Sequence, residues 1–151
     1  MKTMSEIVND LYYNPYLLPL IPALAVLVDY GLTFYLADDY AMILSWEASP
    51  LVRYATAHGL MPVYLAGIMI FYYITSYLVL RLLAKSPVYP VGVTLIVVIS
   101  LTHILGGLSW YFRNSLYSNI IFGFSVMSIV VAIALFGYVT FTQLKHPVVS
   151  N

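Results

Sequence analysis

The sequence predicts an all-α integral membrane protein whose four transmembrane helices form an antiparallel bundle. Its composition is the first reason: 62% of the 151 residues are hydrophobic and 8% are charged, whereas about 25% of the residues in a soluble domain are charged. The second reason is that the apolar residues fall into four long runs. Each run is close to the roughly 20 residues that a helix needs to cross the hydrocarbon core of a bilayer. The length favours a single membrane domain over residues 1–151.

The four predicted spans cover about residues 17–37, 61–83, 91–112 and 118–142. Pro19 and Pro22 fall in the first turns of the first span, where a missing backbone N–H costs least. Short polar turns separate the last three spans, so consecutive helices should be antiparallel neighbours. The first apolar run is too long for a signal-peptide core, and no small-residue cleavage site follows it. We therefore expect no cleavage.

The loop over residues 38–59 contains one further predicted helix. Ser49 followed by Pro50 is typical of an N-cap and a first helical residue, and Gly59 is a suitable stop. We therefore predict a short interfacial helix over about residues 50–58, at the membrane surface.

The distribution of Lys and Arg predicts the orientation. Four of these residues lie on the side of the termini and two lie on the opposite side. The four are Lys2, Arg81, Lys85 and Lys145, and the two are Arg53 and Arg113. Cytoplasmic loops carry the excess of positive charge. We expect a multi-pass protein of the plasma membrane with both termini in the cytoplasm.

Asp29 and His103 are the acid and the imidazole that lie deep inside the predicted spans. At 1.5 Å per residue, Asp29 lies ~12 Å below the loop end of span one, and His103 lies ~13 Å below the same end of span three. A carboxylate at this depth is costly unless it has a partner. The sequence therefore predicts that the two groups form a coupled pair.

Further polar residues extend this pair into a candidate site. Glu47 lies in the loop above it, so the candidate catalytic residues are Asp29, Glu47 and His103. Carboxylates with imidazoles suit zinc or iron, and a divalent metal such as zinc is the candidate cofactor. The metal ligands would be Asp29, Glu47, His58 and His103. The candidate substrate-binding residues are Thr33, Arg53, Trp110 and Arg113.

The sequence excludes some functional classes and lacks the sequence motifs of others. The chain has no Cys, which excludes thiol nucleophiles and cysteine-ligated metals. It contains no H-E-x-x-H, no G-x-S-x-G with a suitable dyad and no phosphate-binding loop. It also lacks a basic tract of the kind that binds nucleic acid.

Two short motifs resemble those of a known family. Asp29-x-x-x-Thr33, and then Glu47-Ala48-Ser49-Pro50-Leu51 with Gly59 ending the following helix, are similar to the D-x-x-x-T and E-x-N-P-L motifs of a family of small prokaryotic four-helix membrane proteins of unknown function. The resemblance covers about residues 29–59, and Ser49 stands where the family has Asn. It implies that Asp29, Thr33, Glu47 and Pro50 are characteristic positions, and it implies no activity.

Two main functional interpretations remain open. In the first, the chain is a membrane helical module with a buried Asp29/His103 polar layer, which contacts the bilayer and forms a homo-oligomer or binds a partner membrane protein. In the second, it is a membrane-embedded enzyme or metal-binding protein that acts on a lipid-like substrate at an Asp29/Glu47/His103 site. A proton-conducting bundle is a third and weaker interpretation.

Overall fold

The computed structural model describes residues 3–145, and all regular secondary structure in these residues is helical. The seven helices are α1 (Met4–Tyr12), α2 (Leu20–Leu36), α3 (Tyr40–Trp46), α4 (Pro50–Ala57), α5 (Met61–Leu83), α6 (Tyr89–Phe112) and α7 (Ser115–Lys145). We call the end of the bundle that carries α3 and α4 the loop end.

Three helices, α5, α6 and α7, are each long and apolar enough to cross a membrane. A fourth candidate span exists if α2 and α3 count as one bent segment, because the two helices meet at an angle of 119°. The bounds of α5 are those predicted, whereas α2 begins at Leu20 rather than near residue 17. The side chain of Asn14 accounts for this difference, since its oxygen accepts hydrogen bonds from the backbone N–H groups of Tyr16 and Leu17 and holds a turn there.

Helix α6 lies at the centre of the bundle and contacts α2, α5 and α7. Its sequence is consistent with this position, because small residues and branched apolar residues allow neighbouring helices to pack against it. Gly92, Val93, Ile96, Ser100 and Gly107 are all buried. Helix α7 contacts α6 and leaves most of its large apolar side chains exposed.

The loop after α2 contains two helices, whereas the sequence predicted one. The predicted helix is α4, where the Ser49 hydroxyl accepts from the N–H of Val52 and Gly59 follows with a φ of +67°. The additional helix is α3. The side chain of Asp39 begins it by accepting the N–H of Met42 at 2.7 Å, as an N-cap aspartate does.

The end of the bundle opposite the loop end is closed by tyrosines. The hydroxyl of Tyr89 donates to the backbone oxygen of Tyr12 at 2.7 Å, and the ring of Tyr13 stacks on that of Tyr89. Helix α1 is thereby attached to the start of α6, near the apolar core that includes Leu80, Leu83 and Val93.

Candidate functional site

Asp29 on α2 and His103 on α6 are in direct contact. Nδ1 of His103 lies 2.7 Å from Oδ2 of Asp29, and the two side chains are 21% and 16% exposed. The contact predicted from their equal depth is therefore confirmed. A functional role for the pair stays a prediction.

The other ring nitrogen of His103 meets Tyr72 of α5, a residue that the candidate site did not include. Nε2 of His103 lies 2.8 Å from the hydroxyl oxygen of Tyr72. Counted along the backbone, Tyr72 lies ~16 Å below the start of α5, about half a turn deeper than His103. Helical side chains point toward the N-terminus of their helix, which is the loop end for α5. This direction raises the hydroxyl to the level of the imidazole.

The three groups form a continuous hydrogen-bonded chain from α2 through α6 to α5. When the Asp29 carboxylate is ionised it only accepts, so Nδ1–H of His103 donates to it. Nε2 then accepts from the Tyr72 hydroxyl when the imidazole is neutral, or donates to its oxygen when the ring is protonated. In both cases the imidazole is held on its two sides, and its orientation is fixed by two neighbouring helices.

A second tyrosine contact joins the same helices, α2 and α5. The hydroxyls of Tyr30 and Tyr64 lie 3.1 Å apart, and their rings meet edge to face. Tyr30 follows Asp29 directly in the sequence. Two contacts to α5 therefore lie beside Asp29. One runs from His103 to Tyr72, and the other runs from Tyr30 to Tyr64.

A cavity of about 600 Å³ lies between the loop end and the Asp29–His103 pair. We call it the polar cavity because charged, hydroxyl and amide side chains line it. Five of the predicted site residues line it, together with a group of hydroxyl and amide side chains. The five are Asp29, Thr33, Glu47, Trp110 and Arg113, and the group is Ser109, Asn114, Ser115, Ser118, Asn119 and Ser125. The motif residues Asp29, Thr33 and Glu47 therefore line one space.

Glu47 lies at the end of α3 in the wall of this cavity. Burial raises the pKa of its carboxyl, the N–H of Ser49 lowers the pKa by donating to Oε1 at 2.8 Å, and the negative charge of Asp29 raises it further. Asp29 and Glu47 therefore line one cavity and interact electrostatically. Their joint role in a site stays a prediction.

Arg113 lines the polar cavity, but its guanidinium is held by other groups of the protein. It forms an ion pair of 3.0 Å with Asp38 and donates to the backbone oxygens of Leu36 and Trp110. The guanidinium lowers the pKa of Asp38. Arg113 therefore joins the ends of α2 and α6, and its substrate-binding role stays a prediction. Arg53 is exposed on α4 and does not line the polar cavity.

The four predicted metal ligands do not come together. His58 is exposed, its Nδ1 lies 2.8 Å from the backbone oxygen of Tyr54, and its ring stacks on that of Tyr54. Within residues 3–145, no group of three or more His, Cys, Asp or Glu side chains is arranged to hold a metal ion. The prediction that these four residues form one metal site is therefore wrong, because the imidazole of His58 is bonded to the backbone of its own segment.

A second cavity, of about 320 Å³, lies between α5, α6 and α7 and is almost entirely apolar. Tyr72 and His103 are part of its wall, and Ser125 lines both cavities. Asp29 lines only the polar cavity. The hydrogen-bonded chain Asp29–His103–Tyr72 therefore runs from the polar cavity to the apolar one.

No family model, curated protein or solved structure matches the chain. The resemblance to the four-helix family through the motif residues Asp29, Thr33 and Glu47 stays a prediction.

Proposed function

We propose that the chain is a four-span protein of the plasma membrane that binds an amphipathic, lipid-like molecule. The observation that supports this proposal most is the position of the Asp29–His103–Tyr72 chain between a polar cavity and an apolar cavity. Both volumes fall in the range of about 300–1,000 Å³ that is typical of ligand sites. A molecule with a polar head and an apolar chain would use the two spaces together.

The exposed surface supports insertion into a bilayer. Helix α7 exposes large apolar side chains along its length, such as Phe122, Ile129, Ile133 and Phe136. Soluble monomers rarely expose apolar patches of this extent, and lipid chains are the partner that covers them without further protein. A second copy of the chain or another membrane protein would compete with lipid for the same face of α7.

The polar cavity favours an uncharged head group that donates hydrogen bonds. Asp29 and Glu47 carry carboxylates, which only accept when ionised. The guanidinium of Arg113 is already paired with Asp38. A hydroxylated head, such as glycerol, would donate to the acids, whereas a phosphate would meet two like charges and an occupied arginine.

Photocrosslinking tests the binding proposal directly. The probe is a monoacylglycerol with a diazirine in its chain, applied to the purified protein in detergent and mapped by peptide mass spectrometry. We expect saturable labelling of residues that line the apolar cavity, such as Ile99 and Ile129. Ala132→Phe fills this cavity and should reduce the labelling several-fold. The matched change Ala134→Phe, on the exposed face of α7, should not. Labelling that does not saturate and is equal in both variants would contradict binding in the cavity.

The absence of cysteine makes the proposed orientation simple to test. Ser5 and Ser45 are exposed at opposite ends of the bundle. We expect a membrane-impermeant maleimide to label Ser45→Cys in intact cells and to label Ser5→Cys only after the membrane is opened. The reverse pattern would invert the orientation.

A membrane-embedded enzyme is the second candidate, and the order of the three groups favours it. A carboxylate, an imidazole and a hydroxyl in series is the arrangement that activates hydroxyl groups in hydrolytic triads. The substrate would be a lipid-like ester, with Asp29 and His103 in acid–base roles and Glu47 in the polar cavity. Release of fatty acid from a monoacylglycerol, lost in His103→Gln and retained in His58→Gln, would favour this candidate over binding alone.

A further inference from the structure

The hydroxyl of Tyr72 has bonding capacity beyond its contact with His103. A tyrosine hydroxyl has one donor and two acceptor positions, and the bond to Nε2 uses one of these three. Tyr72 also lines the apolar cavity. A polar group in an apolar wall gains more from a hydrogen-bond partner than it would in water.

The other hydroxyl groups in this wall include two that are engaged within their own helices. Thr102 donates to the backbone oxygen of Val98, and Ser128 donates to that of Phe124. Tyr72 differs because its phenol reaches across from α5 to α6 and its orientation is fixed by His103. Tyr72 is therefore a lining hydroxyl whose orientation is fixed by a second helix.

We infer that Tyr72 binds an oxygen atom carried on the chain of the amphipathic ligand, so that the ligand class is an oxygenated lipid with a hydroxyl or carbonyl group within its chain. This inference rests on the proposed function, because it requires a chain in the apolar cavity. It adds the chemical feature that the chain must carry, and it adds Tyr72 as a residue that contacts the ligand.

A carbonyl and a hydroxyl on the ligand chain would require different directions of the hydrogen bond to Tyr72. A carbonyl only accepts, so it requires Tyr72 to donate into the cavity while His103 donates to the phenol oxygen. A hydroxyl both donates and accepts, so it fits either direction. Comparing the two ligands therefore distinguishes the class and also the arrangement of protons in the Asp29–His103–Tyr72 chain.

Competition against the diazirine monoacylglycerol measures this preference. The competitors are three monoacylglycerols of equal chain length, with a plain chain, a mid-chain hydroxyl and a mid-chain ketone. We expect at least one oxygenated chain to bind about three- to tenfold more tightly than the plain chain, which is the gain from one hydrogen bond between neutral groups. Tyr72→Phe should remove the preference. Tyr73→Phe is the matched control because Tyr73 does not line the apolar cavity, and it should retain the preference.

Infrared spectroscopy of the keto lipid gives a second readout that needs no variant. A hydrogen bond lowers the stretching frequency of the mid-chain carbonyl relative to the frequency in alkane solvent. If all three lipids compete equally and the carbonyl frequency equals that in alkane, the inference about Tyr72 is wrong while ligand binding stands. If the diazirine probe shows no saturable labelling, the proposed function itself fails. An equal loss of preference in Tyr72→Phe and Tyr73→Phe would also contradict a direct contact.

Discussion

Gly107 of α6 lies against the backbone of Asp29, where there is no space for a side chain. A Cβ atom at position 107 would lie 2.9 Å from the backbone oxygen of Asp29 and 3.0 Å from its Cα. Gly106, the preceding residue, differs. A Cβ atom there would meet the carboxylate of Asp29 at 3.6 Å, which is an ordinary contact. The approach of α2 to α6 at the site therefore depends on one glycine of the pair.

The two glycines give a matched pair of variants. Gly107→Ala should destabilise the protein by about 1–3 kcal/mol, because overpacking against a backbone forces the helices apart. Gly106→Ala should be neutral or slightly stabilising, since alanine is the better helix former. Thermal unfolding in detergent measures both. Equal stability of the two variants would show that α2 and α6 approach less closely than Gly107 and Asp29 indicate.

The contact between Asp29 and His103 could be predicted from the sequence, whereas the role of Tyr72 could not. The rise per residue of a helix is constant, so two isolated polar residues can be compared in depth once the span ends are assigned. Tyrosine gives no such signal, because the chain has 15 of them and most pack as aromatics. Identifying Tyr72 required the direction of its side chain as well as its depth. The cavities were not predictable, since they depend on how α7 packs against α6.

In the loop over residues 38–59, local structure could likewise be predicted but the packing of the helices could not. Ser49, Pro50 and Gly59 specify α4 through local backbone preferences, which act within a few residues. Helix α3 depends on the cap at Asp39, but its angle to α2 is a tertiary property that the sequence does not specify locally. The motif residues Asp29, Thr33 and Glu47 could be selected from the sequence, whereas the cavity that they line depends on the 119° bend between α2 and α3.

A double-mutant cycle measures the coupling between Asp29 and His103. Each single alanine variant leaves a polar partner without its hydrogen bond, whereas the double variant removes both groups. We expect the two effects on the free energy of unfolding to be non-additive by about 1–3 kcal/mol, as found for residues in direct contact. The exposed ion pair between Asp38 and Arg113 is the control, and its coupling should be smaller and should decrease with added salt. Additive effects of Asp29→Ala and His103→Ala would contradict a stabilising contact.

Gly59 provides a test of the loop backbone. Its φ of +67° lies in the left-handed region, and a Cβ atom there would meet no other group. Gly59→Ala should therefore destabilise the loop through backbone strain alone, by about 1–2 kcal/mol. Gly67 also has open space around it but lies inside α5. Gly67→Ala should stabilise the protein by up to about 1 kcal/mol. Chemical unfolding of the two variants gives the comparison, and a stabilising effect of Gly59→Ala would be incompatible with its backbone conformation.

The burial of Glu47 predicts how stability depends on pH. Because burial raises the pKa of this carboxyl above its ordinary value of 4.5, the folded protein binds the proton more tightly than the unfolded chain does. The contribution of Glu47 to stability is therefore fully present below about pH 4.5 and is lost as the pH rises through the pKa of the folded state. Glu47→Gln stays neutral and retains an oxygen that can accept the N–H of Ser49. We expect the variant to match the wild type in acid and to exceed it in melting temperature at neutral pH.

Glu6 is the control of opposite sign, because the Thr3 backbone N–H lowers its pKa. Glu6→Gln should lose a small amount of stability at neutral pH and none in acid. A Glu47→Gln variant that is less stable than the wild type at neutral pH would mean that the ionised carboxylate has a favourable partner in the polar cavity.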